Sequence, residues 1–286
     1  MSAHILDGKL LAARLKERLT TEIHSLKSSV KEIPRIFSIV VGNDPASLSY
    51  ATSQQKTAES LGIHYELQHF QADSSQEDVL NLIGELNSYD HVHGIIVNKP
   101  LPAHMNFSAI INAIAPYKDI EGMNLTNFGL LLMGEDGIFP CTPAAALELL
   151  KSSGVSLKGK HAVVIGRSEI VGKPVALLLL KEDMTVTICH SKTIDLPFVV
   201  HDADVVIAAL GKPGFVKGEW IKNGAIVIDV GINQVDGKLV GDVDFTSAVE
   251  KASYITPVPG GVGPVTSVML MNNAVKAFKI QNKTPS

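Results

Sequence analysis

Apolar and polar positions change period repeatedly along the first half of the chain. From Gly8 to Leu26 apolar residues return every three or four positions, which predicts an amphipathic helix. Ile36 to Val41 is a short continuous apolar run and predicts a buried strand. Pro45 then opens a helix running to about Leu61, since proline suits the first helical position. His64 to Phe70 reads as a strand and Gln76 to Leu86 as a helix. Val92 to Val97 is a buried strand ending in Asn98-Lys99-Pro100-Leu101-Pro102. Strands alternating with helices in this way predict βαβ units and a mostly parallel sheet.

The second half repeats the alternation. A helix is expected from about Pro143, after the cap candidate Thr142, leading into a second domain. Strands are expected at Ala162–Ile165, Thr185–Cys189, Val205–Leu210 and Ala225–Val230, with helices between them. Thr256 to Pro264 is too rich in glycine and proline for a regular element, and reads either as a linker or as a rigid loop helping to form a cleft. Thr266 to Lys279 has helical periodicity and is expected to return to the first domain. The expected organisation is residues 1–141 completed by a C-terminal helix at 266–286, with 142–265 as the second domain.

The strand from His161 runs into Gly166-Arg167-Ser168-Glu169-Ile170-Val171-Gly172-Lys173-Pro174. A strand, a glycine turn and a new helix together make a phosphate cradle, with free N–H groups and the positive helix end facing one anion. The dinucleotide fingerprint wants glycine at Gly166, Ser168 and Val171, so two of the three are missing. A plain strand–helix turn is the competing reading. The next strand ends in His190-Ser191-Lys192-Thr193, with no carboxylate where an NAD site holds the ribose hydroxyl. Arg167, Ser191 and Lys192 instead suit a 2′-phosphate, which favours NADP over NAD. Lys192 taken alone also reads as an ordinary exposed lysine.

Composition narrows the class. With 286 residues, 45% of them hydrophobic and 19% charged, the chain is expected to be soluble, with two α/β domains. A net charge of −4 argues against nucleic acid or an anionic membrane as partner. No signal peptide and no spanning apolar run are read, and the two cysteines, Cys141 and Cys189, have no metal or redox spacing; a cytoplasmic home is expected. His91 and His93 form the closest histidine pair and read as structural, so no metal is expected.

Many ordered segments resemble the bacterial FolD family of methylenetetrahydrofolate dehydrogenase/methenyltetrahydrofolate cyclohydrolases. They are Asp44-Pro45-Ala46-Ser47 leading to Tyr50, Pro100-Leu101-Pro102, Lys118-Asp119, Pro140-Cys141-Thr142-Pro143 and Gly166-Arg167-Ser168 through Pro174. Further on come Cys189-His190-Ser191, Gly211 to Gly214, Ile228 to Asn233, Gly241-Asp242-Val243, and Pro257 through Pro264. The resemblance implies a two-domain α/β subunit with a Rossmann-like NADP domain, a homodimer, and a tetrahydrofolate derivative held in a cleft. It implies cofactor contacts from Gly166, Arg167, Ser168, Val171, Gly172, Pro174, His190, Ser191, Lys192, Thr193 and Ile232. Substrate contacts are implied from Tyr50, Pro100, Glu121, Gly261 and Pro264.

The catalytic positions depart from that pattern. The family's Tyr-x-x-x-Lys reads Tyr50-Ala51-Thr52-Ser53-Gln54, a spacing that puts both ends on one helical face. Lys56 lies about 200° round the helix from Gln54 and does not substitute. The family's Val-Gln-Leu-Pro-Leu-Pro reads Val97-Asn98-Lys99-Pro100-Leu101-Pro102, and its Asp-Gly pair, whose aspartate holds the pterin, reads Glu121-Gly122. Tyr50, Gln54, Asn98, Lys99 and Glu121 are therefore the candidate catalytic set. Hydride transfer needs alignment more than a proton carrier, whereas hydrolysis of the methenyl cation needs proton transfers that Gln54 cannot perform. The expectation is an NADP-dependent dehydrogenase with weak or lost cyclohydrolase. The alternatives are a bifunctional enzyme using Lys99, a related dehydrogenase with another substrate, and a binding paralogue.

Overall fold

The structure, a computed structural model, describes residues 2–30 and 32–283. The last three residues of the expected C-terminal segment lie outside the described residues. In chain order the elements begin β1 (His4–Ile5), α1 (Gly8–Val30), β2 (Arg35–Val41), α2 (Pro45–Ser60), β3 (His64–Phe70), α3 (Gln76–Ser88) and β4 (Gly94–Val97). Then come α4 (Phe107–Ala113), α5 (Leu125–Met133), α6 (Cys141–Ser152), β5 (His161–Ile165), α7 (Gly172–Lys181), β6 (Thr185–Cys189), α8 (Leu196–His201) and β7 (Val205–Ala208). The chain finishes with β8 (Ile226–Asp229), β9 (Asn233–Val235), β10 (Lys238–Val240), α9 (Phe245–Ala248), β11 (Tyr254–Ile255) and α10 (Val262–Gln281).

The chain divides into two compact units, and the divisions fall within α1 and α10. One unit holds the described residues up to Arg14 with Pro140–Met269; the other holds Leu15–Phe139 with the chain from Leu270 on.

The second of these is built on a parallel sheet in the order β3-β2-β4. Successive side chains of a strand point to opposite faces. Phe37, Ile39 and Val41 of β2 pack with Val79, Ile83 and Leu86 of α3 and with Ile110 and Ile111 of α4. Ser38, on the alternate face, is also fully buried. α2 starts where Asp44 accepts from Ser47 N, and its buried stripe is Ser47, Ala51, Gln54 and Ala58. A polar Ser47 and Gln54 in a buried stripe mark the face that carries chemistry. A bridge from Ile95 to Asp119 brings Lys118 to Glu121 alongside β4.

The other unit carries a parallel sheet in the order β1-β11-β8-β7-β5-β6. From β5 the chain goes to β6 on one side and later to β7 on the other. The carboxyl end of β5 is thus a topological switch point, where open α/β sheets place ligands.

Two boundaries correct the pattern reading. α6 begins at Cys141 with Pro140 at its cap, so Thr142 lies inside the first turn and does not cap it. α10 begins at Val262, inside the glycine- and proline-rich run, so the expected loop is shorter and the helix longer. In both cases proline sits in the first turn, where its missing N–H has no helical partner to lose. The β9–β10 hairpin went unread, although Asp236-Gly237, both at positive φ, is a strong hairpin-turn signal.

Candidate functional sites

At the end of β5, Gly166 has φ +132°, and a Cβ there would lie 2.1 Å from Ala209 O. Gly172 is equally confined, since its Cβ would meet Gly166 O at 2.2 Å. The turn therefore needs glycine at 166 and 172, while Ser168 and Val171 replace the fingerprint's other glycines. Ser168 Oγ accepts from Val171 N and Gly172 N at 3.1 and 3.3 Å, closing the turn ahead of α7. Pro174 is buried in the first turn of α7.

Ile165 pairs with Cys189 across β5 and β6, so the 166–168 turn and the 190–193 turn leave the sheet side by side. His190 N donates to Thr193 Oγ1, and His190 Nδ1 accepts from Lys192 N. Those bonds hold the turn while leaving Ser191 and Lys192 exposed, as Arg167 is. Glu169, the acid in the glycine turn, pairs with Lys173. The donor set at these two strand ends fits a 2′-phosphate better than a bare ribose. Ile232 follows β8 and is exposed. Asp242 braces the neighbouring loop by accepting from Leu210 N, Gly211 N and Lys212 N. Gly261 and Pro264 belong to this unit, Gly261 just before α10 and Pro264 in its first turn.

In the other unit a polar cluster gathers around the middle of β2, the start of β3 and the carboxyl end of β4. Tyr65 of β3 donates its hydroxyl to Gln54 Oε1 at 2.9 Å. Asn98 Nδ2 donates to Ser38 Oγ at 2.7 Å and to Ile39 O at 3.1 Å. Burial holds the Tyr65 hydroxyl well above its ordinary pKa, and the nearby Ser38 hydroxyl opposes that rise. Gln54 and Asn98 are only 2% and 4% exposed. Tyr50 is 45% exposed, one helical turn from Gln54.

Lys99 is exposed, with Nζ 3.6 Å from the centroid of the Phe107 ring, a cation–π arrangement. Its carbonyl lies 2.7 Å from Ser47 Oγ, and the following bond to Pro100 is cis. The pair His91 and His93 is structural: His91 stacks on Tyr89, and His93 is buried against Phe278 and accepts from Arg35 N.

Two residues next to Glu121 fix its position. Lys118 Nζ donates to the carbonyls of Leu86, Asn87 and Tyr89, and buried Asp119 accepts from Gly122 N and Asn124 N. Burial, and then the Asp119 charge, raise the Glu121 carboxyl to about 8, while the Val97 N–H and Lys99 oppose the rise. Between its ordinary 4.5 and about 8 only the folded chain keeps this proton. Stability therefore falls as pH rises through that window, by at most about 1.4 kcal/mol per pH unit and by less for a group that is partly solvent-exposed. Denaturant titrations at pH 6 and pH 8 are expected to show that fall in the parent chain and a shallower one in Glu121→Gln. Equal slopes would place the carboxyl at its ordinary pKa.

Tyr65 and Ser38 are the site residues that pattern reading missed. Their only sequence signal was polarity in strands, Ser38 within an apolar run and Tyr65 in an alternating one.

A glycine turn at the switch point of a parallel sheet in one unit, and a buried polar cluster in the other, define the class: a dinucleotide-binding α/β enzyme of two units. Residues 6–121 match the tetrahydrofolate dehydrogenase/cyclohydrolase catalytic domain, and residues 140–282 match the NAD(P)-binding domain of the same family. The chain belongs to the tetrahydrofolate dehydrogenase/cyclohydrolase family. It is 51% identical over 280 residues to the bifunctional protein FolD of Bacillus pumilus, covering 98% of this chain and 99% of that one. The crystal structure of the bifunctional FolD of Campylobacter jejuni superposes with a TM-score of 0.95 at 44% identity, covering 98% and 99%. The Trypanosoma brucei dehydrogenase–cyclohydrolase, solved with NADP cofactor and an inhibitor, gives 0.93 at 40% identity and covers 99% of each chain.

Proposed function

We propose that this chain oxidises 5,10-methylenetetrahydrofolate to 5,10-methenyltetrahydrofolate with NADP⁺, and that its cyclohydrolase step is weak or absent. Gln54 carries the second half of the reading. It occupies the position of the family's lysine, is buried, and holds its amide on Tyr65 rather than presenting a titratable group. Tyr65 does not replace the lysine, because burial keeps its hydroxyl protonated. Lys99 lies over Phe107 instead of entering the buried cluster.

The residues divide the work by chemistry. Gly166 and Gly172 shape the pyrophosphate turn, and Arg167, Ser191 and Lys192 neutralise the 2′-phosphate. Pro174, Val171, His190, Thr193 and Ile232 complete that site. When bound, NADP⁺ supplies the hydride acceptor. Glu121 holds the pterin, Tyr50 and Pro100 flank the folate, and Gln54 and Asn98 orient the one-carbon bridge. Alignment of this kind suffices for hydride loss, because the two folate nitrogens stabilise the resulting cation. A homodimer in the cytoplasm is part of the same reading and rests on the family resemblance. Among the described residues no helix is long and apolar enough to cross a membrane.

A time course with methylenetetrahydrofolate and NADP⁺, following NADPH and the methenyl product separately, tests it. NADPH is expected to rise while methenyl accumulates as in an enzyme-free hydrolysis control. Faster clearance to formyltetrahydrofolate would assign the proton transfers to Lys99 or Glu121. No NADPH would overturn the substrate assignment.

A further inference from the structure

We propose that Tyr65 and Ser38 are positioning residues that fix Gln54 as a neutral N–H donor and Asn98 as an acceptor toward the substrate, which rests on the folate reading above.

The argument is one of hydrogen-bond polarity, and it starts at Ile39. That carbonyl only accepts, and it receives both the backbone N–H and the Nδ2 of Asn98. Turning the Asn98 amide over would set Oδ1 against a carbonyl oxygen, so its nitrogen end is fixed there. Ser38 Oγ accepts from that nitrogen as well. The tyrosine in turn has one proton, and it goes to Gln54 Oε1.

Each hydroxyl thus holds one end of its amide, Tyr65 the oxygen of Gln54 and Ser38 the nitrogen of Asn98. What remains at the two ends is Gln54 Nε2 and Asn98 Oδ1, the buried atoms of this cluster with no protein partner. Leaving a buried donor and a buried acceptor unpaired is costly unless a ligand completes them. Fold packing alone gives no reason for that arrangement. Ser38 sits among Ile36, Phe37, Ile39 and Val40, where an apolar residue would avoid the problem entirely.

A mutant cycle on the intact protein reads the coupling. Tyr65→Phe keeps the ring and removes the proton that orients Gln54. We expect kcat for methylenetetrahydrofolate oxidation to fall about three- to tenfold, the size expected of one neutral hydrogen bond, with KM for NADP⁺ unchanged. In a Gln54→Ala background the same change is expected to alter kcat by less than about twofold. If the phenylalanine variant folds poorly, Ser38→Ala read in parent and Asn98→Ala backgrounds is expected to repeat the pattern. Losses that multiply between the two backgrounds would overturn the proposal.

The side-chain amide signals of Gln54, read by ¹⁵N NMR in the free protein, give an answer that needs no turnover. They are expected to shift and to exchange faster with solvent in Tyr65→Phe. If the parent chain oxidises no methylenetetrahydrofolate, the substrate reading falls, and positioning is then judged on those signals: unchanged, they overturn it.

Discussion

Gln54→Lys is expected to raise methenyl hydrolysis by roughly 10- to 100-fold, within the usual contribution of a placed general acid–base group. The position is 2% exposed, so burial pushes the introduced ammonium down toward neutrality, where it exchanges protons readily. The Tyr65 oxygen, which now gives its proton to Gln54, becomes an acceptor for it. The new charge would also draw the Glu121 proton off, since that carboxyl sits near 8 because burial and the Asp119 charge disfavour its ionised form. Hydrolysis should then show a pH dependence that the parent lacks. Dehydrogenation should change by only a few-fold, because alignment and not proton transfer limits it. Stopped assays that separate methenyl from formyl product decide the matter. An unchanged rate would mean that Asn98 and Glu121 limit hydrolysis as much as Gln54, and the triple change with Asn98→Gln and Glu121→Asp would become the informative variant.

The other large effect is expected from Gly166→Ala. A methyl group there would overlap a backbone carbonyl at 2.1 Å, in a region of φ that alanine avoids. The turn has to move, and the strain and clash together are expected to cost more than about 3 kcal/mol. NADP⁺ affinity should fall by at least about 100-fold, and the melting temperature of the cofactor unit should drop by several degrees. Gly129→Ala is the control. It lies in α5 with open space around it and ordinary helical φ, so it is expected to be neutral or slightly stabilising. Retained NADP⁺ affinity in Gly166→Ala, measured by calorimetry, would show that the glycine turn does not carry the phosphates.

The pattern of the chain carried much of the fold. β3 and β6 lie where alternation and apolar runs predict them, and the two larger sheets are parallel as strand–helix alternation implies. Departures came where long-range pairing stabilises what local pattern cannot. β1 and β11 are two residues each, too short to register as periods, and exist because they extend the sheet beside β8. α10 starts early because proline is harmless in a first turn, although it looks like a breaker on paper.

The candidate site divides along the same line. The spacing of Tyr50 and Gln54, the loss of a lysine, and the cations after β5 and β6 are local facts, legible because a helix turn or a strand end fixes neighbours a few residues apart. Tyr65 and Ser38 were not legible. A strand shows only which side chains share a face, never which residue of another element they meet. Pairing of Ile36 with Tyr65 in the parallel register, with the polar stripe of α2 packed over that face, brought the hydrogen-bonded pairs 54–65 and 38–98 into one buried polar cluster. By itself the sequence determined the family, the glycine turn after β5 and an untitratable glutamine at residue 54. Tertiary structure decided how that glutamine is held, because burial forces each polar group to find a partner and the register chooses which one.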